Sequence, residues 1–340
     1  MAPIALLAAC HAVAGSGVLQ AAASRRRFDL VLTAALLHTA AATADSWADS
    51  VQGVMTASDA AHGTRPLSCG ALVFLHIGKT GGTSIVDHLR QQAAAGGFEK
   101  FDVKRPEDPD RRSEDPDRHK DPDWGNTYNY TEDPDWQAFL RRAHHEKRPR
   151  LVLQLHHGVP GVGCYLWEHE LRPLRHVLEG KQCELRLTTV LRNTSDRLQS
   201  EINYRLQAQQ PEERNVTDEE LCQSAHQESN VQTKTILSGH PLAEGNIWRT
   251  SGTINRQDCN TTDGSPAIET LQELFDTVGC TEQLDSYAAS LDMILGASRR
   301  PLVHQNPSTF HANFSARALE CVRDSTQADK ALYDTFCPQG

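Results

Sequence analysis

From Ala71 to Ile77 the chain reads Ala-Leu-Val-Phe-Leu-His-Ile, a nearly continuous apolar run with Gly70 before it and Gly78 after it. A strand with one wet face alternates apolar and polar side chains, so a run without alternation predicts a strand covered on both faces, central in a parallel sheet. The next residues narrow the choice further. Gly78-Lys79-Thr80-Gly81-Gly82 leads into a predicted helix over 83–95, with Ile85, Val86 and Leu89 on one side. A buried strand that ends in a glycine-rich turn and opens a helix is a phosphate cradle: the glycines let the backbone approach, the N–H groups point inward and Lys79 adds charge. The plainer reading of the same residues is a glycine-rich turn with a surface lysine. A Walker loop would require glycine five residues before Gly78, where the chain has Val73, and this disfavours hydrolysis of a nucleoside triphosphate.

Further strands are expected over 98–103, 150–155 and 184–191, with helices over 135–146, 167–178, 267–276, 281–295 and 316–334. Strands alternating with helices predict an α/β fold: a P-loop-like parallel sheet flanked by helices, with a helical C-terminal portion. The folded part is expected from Cys69 to the end of the chain, after a leader over 1–44 and a stem or linker over 45–68. One segment departs from the pattern. Over 104–136 the triplet Asp-Pro-Asp recurs at Asp108, Asp115, Asp121 and Asp133. Proline removes a donor and the carboxylates repel, so a solvated insertion loop is expected. A calcium site is the sharper alternative, although the glycine and terminal glutamate of an EF-hand are missing.

The chain has 340 residues, with 34 basic and 44 acidic side chains and a net charge of −10, which argues against a general nucleic-acid binder. Hydrophobic residues at 39% and charged residues at 23% exclude a multi-span membrane protein and a wholly disordered chain. In the leader, Arg25, Arg26 and Arg27 precede an apolar run over 30–37, and Ala42-Thr43-Ala44 offers small residues for cleavage. The run is short of the ~20 residues that a span needs. A cleaved signal, a short signal-anchor and an organellar transit peptide all remain open, and contact with a membrane is expected only through an uncleaved anchor. With Cys10 in the leader set aside, the even set of cysteines that remains has no CxxC pair, a pattern of disulfides more than of zinc ligands. Sequons at Asn129, Asn193, Asn215, Asn260 and Asn313 permit a secretory route.

A second informative stretch follows the strand over 184–191. Arg192-Asn193-Thr194-Ser195-Asp196-Arg197-Leu198-Gln199-Ser200 carries it into a predicted helix in which Leu198, Ile202 and Leu206 form the inward stripe. Ser200 then falls on the opposite face, with Arg197 about one turn before it. Arg192 at the strand end and Ser200 on the helix are candidates for holding a phosphate, one by a charged fork and the other by its hydroxyl.

Taken together, the two stretches resemble the Golgi glycan sulfotransferases that use 3′-phosphoadenosine 5′-phosphosulfate (PAPS), the group of the heparan sulfate 2-O- and 6-O-enzymes and their chondroitin and dermatan relatives. That family has a 5′-phosphosulfate loop His-Ile-Pro-Lys-Thr-Gly-Gly-Thr, matched from His76 to Thr83 with Gly78 in place of proline. Its 3′-phosphate motif, Leu-Arg-Asp-Pro followed by Arg and then Ser, is matched by Arg192, Arg197 and Ser200, with Asn193 and Thr194 replacing Asp-Pro. Asn230-Val231-Gln232-Thr233 resembles its Asn-x-Gln-Thr segment, Val278 to Glu282 its Gly-Leu-Thr-Glu helix start, and Asp329 to Tyr333 its closing helix. The resemblance implies a PAPS-dependent glycan sulfotransferase domain over 69–340, lumenal in the Golgi or secretory pathway, with a glycan or proteoglycan acceptor and no metal. Donor contacts are then expected at Lys79, Thr80, Gly81, Gly82, Thr83, Ser84, Arg192 and Ser200, with Arg197 supporting and Lys79 at the leaving group.

Sulfuryl transfer also needs a base for the attacking hydroxyl. The strand over 150–155 ends in His156-His157, and the resemblance makes one of them the base, with His156 favoured because it directly follows Leu155. Arg141-Arg142, Lys147-Arg148 and the stretch from Arg172 to Arg175 are candidate acceptor contacts, with a solvated surface as the plainer reading. A glycan on Asn193 would block the donor, so that sequon is expected to be unoccupied. Two other classes stay open: a P-loop phosphotransferase, which would need Mg²⁺ and a nucleoside triphosphate, and a relative that binds donor or glycan without turnover.

Overall fold

Sheet order follows from which strands are covered on both faces. β1 (Gly70–Leu75), β2 (Glu99–Val103), β3 (Arg150–Leu155), β4 (Glu184–Leu191) and β5 (Thr277–Cys280) form one sheet in the order β2-β3-β1-β4-β5, every pair parallel. The computed structural model describes residues 65–103, 130–156, 162–208, 217–237, 264–304 and 314–337. All six residues of β1 are buried. Leu72 and Phe74 join one core cluster with Ile85, Leu89 and Leu291, while Ala71, Val73 and Leu75 join a second on the other face with Phe139, Leu174 and Leu332. The missing alternation in the sequence is therefore the mark of two apolar faces.

Helices cover both faces. α1 (Gly82–Ala95) and α8 (Leu284–Leu295) lie on the first. The second is covered by α2 (Pro134–His145), α3 (Arg172–Glu179), α7 (Ser265–Leu274) and α10 (Gln327–Phe336), with a π-helical stretch Val162–Leu171 leading into α3. α4 (Thr194–Ala208), α5 (Asp218–Gln227) and α9 (Ala316–Ser325) share a third small core of Leu198, Ile202, Leu221, Ala225, Ala318 and Val322. α6 (Val231–Leu237) completes the set. The α/β fold, the parallel sheet and the helical C-terminal portion are as expected.

Several boundaries differ, each for a local reason. Leu67 is already core, and its N–H donates to Ile294 O at 2.7 Å, so the folded part starts before Cys69. The last Asp-Pro-Asp triplet is not loop: Asp133 accepts from the N–H groups of Asp135 and Trp136 and caps α2, with Pro134 in its first turn. Proline is well suited there, because its missing N–H would have had no helical partner. Tyr130 and Trp136, inside the span read as solvated, are buried edge to face. The earlier triplets, and with them the calcium alternative, lie outside the described residues, as do residues 1–64 and the sequons at Asn129, Asn215, Asn260 and Asn313. The helix expected over 316–334 breaks at Thr326, where the hydroxyls of Ser325 and Thr326 donate back to Cys321 O and Val322 O and compete with the main-chain ladder.

Among the described residues three disulfides, Cys69–Cys183, Cys222–Cys321 and Cys280–Cys337, join parts of the chain that are 114, 99 and 57 residues apart. Such cross-links belong to an oxidising, secretory-type environment. Among the described residues no helix is long and apolar enough to cross a membrane. Replacing Asp133 by alanine removes the α2 cap and should lower stability by about 1 kcal/mol, within the usual 0.5–2. Denaturant unfolding of Asp133→Ala against Asp110→Ala reads this directly, and equal midpoints would show that the triplet at Asp133 has no structural role.

Candidate functional site

Parallel pairing in register delivers the ends of the strands to one edge: Leu75 sits beside both Leu155 and Thr189, and Leu191 beside Cys280. Ligands of open α/β sheets bind at this carboxyl edge, where neighbouring connections diverge. Four of the stretches singled out in the sequence emerge there. β1 runs into the glycine-rich turn, β3 into His156, β4 into Arg192, and β5 into Thr281 and Glu282.

The turn after β1 is held from within. Thr80 is fully buried and its hydroxyl donates to Ile77 O at 2.9 Å, so this hydroxyl closes the turn and does not face outward as a phosphate ligand. Lys79 takes a left-handed backbone (φ 66°), unusual for a side chain with Cβ, and Gly81 another (φ 81°). Gly82 has a different reason. A Cβ there would lie 1.9 Å from Cδ2 of the His76 ring, so only glycine lets the helix start pass that imidazole. The helix that follows is 14 residues long, has no side-chain cap and carries no carboxylate in its first turn. α2, α5 and α9 all have side-chain caps. An uncapped N-terminus of this length, with Lys79 at its mouth and Thr83 exposed, has the partial positive charge and the N–H groups to take an anion.

Arg192 ties this loop to β4. Its guanidinium donates to Lys79 O at 3.2 Å, although 113 residues separate the two in sequence. Burial presses its pKa below the ordinary value, while the carboxylates of Asp196 and Glu282 push it back up. An arginine so placed stays charged and is partly stripped of water, which strengthens its attraction for an anion. Asn193 caps α4 through Oδ1, which accepts from Ser195 N at 3.1 Å, and the Thr194 hydroxyl beside it is buried with no hydrogen-bond partner among the described residues. Ser200 is half-buried on α4. Arg197 does not share an open face with it. Its side chain is buried and paired with Glu228 at 3.4 Å, which leaves it a role beneath the site.

His156, half-buried, packs its ring 4.1 Å from that of His76, and Gln154 Nε2 lies 3.4 Å from His76 Nδ1. The two imidazoles stand at the β1 and β3 ends, beside the glycine-rich turn. His157 lies outside the described residues. Of the basic clusters proposed for an acceptor, Arg142 pairs with Glu99 and Glu146, Arg172 with Glu168, and Arg175 stacks over Trp167.

Tyr204 at this edge escaped the sequence reading, and Thr281 and Gln232, each inside a segment singled out there, were given no role in it. Tyr204 is 60% exposed with Lys79 Nζ 3.4 Å above its ring, and its position four residues after Ser200, on the same helix face, was the available signal. The Thr281 hydroxyl lies 3.1 Å from Thr80 O and 3.0 Å from Leu191 O, and joins three strand ends. Gln232 binds the Arg192 peptide at both its N–H and its C=O.

The fit of Gly82 against His76 can be measured. Gly82→Ala should cost about 1–3 kcal/mol through overpacking. Gly97→Ala, where φ is left-handed (73°) but nothing among the described residues lies within 4 Å of the new methyl, should cost only the backbone strain, about 1–2 kcal/mol. A Gly82→Ala protein of unchanged stability, with unshifted His76 ring resonances, would contradict the packing described. No protein-family model matches the chain, and no curated protein matches it either.

Proposed function

We propose that the chain is a sulfotransferase that moves a sulfuryl group from PAPS to a hydroxyl of a glycan. The observation that carries this reading is the 3.2 Å contact of the Arg192 guanidinium with Lys79 O, which joins the two stretches proposed to hold phosphate at one edge beside His156. A triphosphate-hydrolysing loop requires one anion site; a donor with phosphates on both its 3′ and 5′ positions requires two. The order of the motifs along the chain, and their resemblance to the PAPS-dependent Golgi enzymes, supports the same choice.

The residues divide the work by their chemistry. The 5′-phosphate would rest on the α1 N-terminus, on N–H groups from Gly81 to Ser84 and on the Thr83 hydroxyl; the 3′-phosphate would rest on Arg192 and Ser200. Lys79 is suited to neutralise the phosphate oxygen that keeps the electron pair when its bond to sulfur breaks. Its resting place on Tyr204 is a weak cation–π contact that an anion would outcompete. His156 takes the proton from the acceptor hydroxyl as the new oxygen–sulfur bond forms. The acceptor is proposed to be a glycan or proteoglycan, and the setting the Golgi lumen, with residues 25–37 as a short type II anchor or a cleaved signal.

Transfer of ³⁵S from labelled PAPS to a panel of heparan, chondroitin and dermatan chains tests the reading. His156→Ala should lower turnover by about 10²–10⁴, the ordinary share of a general base, while His157→Ala should keep most of it. Lys79→Ala should cost about 10²–10³. No incorporation by wild type on any acceptor would leave a donor-binding protein without turnover, and variants as active as wild type would remove His156 and Lys79 from the mechanism.

A further inference from the structure

Arg192 is the first residue beyond β4, where the sheet no longer fixes the peptide. Gln232, fully buried, takes over: its Oε1 accepts from Arg192 N at 2.9 Å and its Nε2 donates to Arg192 O at 2.9 Å. A primary amide is suited to hold both backbone groups of one residue in this way, because it has a donor and an acceptor on one planar group at any ordinary pH. Gln232 is held in turn. Its own N–H and that of Thr233 donate to the two carboxylate oxygens of Asp329 at 3.0 and 2.7 Å, and Asp329 is fully buried. Asn230 returns the contact, for its Oδ1 accepts from Ala328 N and Asp329 N at 3.1 and 3.2 Å. The starts of α6 and α10 therefore cap each other. The lattice is anchored at both ends, by the buried Arg197–Glu228 pair two residues before Asn230 and by the Cys280–Cys337 bridge at the end of α10.

A carboxylate and an amide buried this completely, with the half-buried Asn230 beside them, are more than packing requires. Apolar side chains would fill the same volume without the desolvation of polar groups. What the polar lattice supplies is a fixed peptide at one residue, and that residue is the arginine of the candidate 3′-phosphate contact. We infer that Gln232 is a positioning residue, seated by Asp329 and Asn230, that aims Arg192 at the 3′-phosphate of the donor; this rests on the sulfotransferase reading. A donor analogue with that phosphate depends on Gln232, and one without it does not.

Calorimetric titration of the whole protein with adenosine 3′,5′-bisphosphate and with adenosine 5′-phosphate separates the cases. Wild type should bind the bisphosphate far more tightly. Gln232→Glu keeps the shape but loses the donated hydrogen bond, and should reduce that preference by about tenfold with the monophosphate affinity unchanged. Asn230→Ala, one step further back, should reduce it by about threefold. In an Arg192→Ala background Gln232→Glu should have no further effect on the preference. Equal weakening of both ligands, an undiminished preference in both variants, or full additivity with Arg192→Ala would overturn the positioning role. Wild type that does not distinguish the two ligands would instead remove the donor reading on which it rests.

Discussion

Burial of β1 on both of its faces is the constraint from which the rest follows. Covering Leu72 and Phe74 on one side and Val73 and Leu75 on the other requires helices above and below the strand, and the connections that supply them are parallel crossovers. Parallel strands end on one edge. The glycine-rich turn, His156, Arg192 and Thr281 are thus gathered by the same hydrophobic effect that builds the core, without any attraction among them.

A second layer of polar contacts then fixes what the sheet only brings near. Thr281 spans Thr80 O and Leu191 O, Arg192 reaches Lys79 O, and Gln232 grips the Arg192 peptide. Each is a buried or half-buried hydrogen bond whose loss would leave a desolvated partner, so the arrangement resists local change. Asp329 stands at the base of this layer. Burial raises its pKa above the ordinary carboxylate value, against the pull of the Thr233 N–H, the Arg197 charge and the Gln232 N–H. Binding sites for multiply charged ligands need such rigidity, since like-charged phosphates do not order flexible cations without an entropic penalty.

Sequence periodicity made β1, β3 and β4 legible because each is long enough, and apolar enough, to stand apart from its neighbours. β5 was not, since Thr277-Val278-Gly279-Cys280 is four residues between two helices and gains its strand character from pairing with β4. α5 did carry a sign in Thr217 and Glu220, which form a reciprocal capping box, yet it was not among the helices expected. In the site, the types at Lys79, His156 and Arg192 were readable from motif order. The burial of Arg197 was not, because helix spacing tells which residues share a face and says nothing of what later packs against it. Tyr204 and Gln232 act through partners 125 and 40 residues away, and no local pattern encodes such pairs.

The central claim is that one edge of the sheet holds two phosphates of a single nucleotide. It is tested most directly by thermal unfolding of the protein with adenosine 3′,5′-bisphosphate, and separately with ATP or GTP and Mg²⁺, in wild type and Lys79→Ala. At a hundredfold excess over the dissociation constant a specific ligand adds about 2.7 kcal/mol. The account requires that gain with the bisphosphate, diminished by Lys79→Ala and not matched by either triphosphate. Stabilisation by Mg-nucleotide alone would contradict it and assign the edge to phosphoryl transfer.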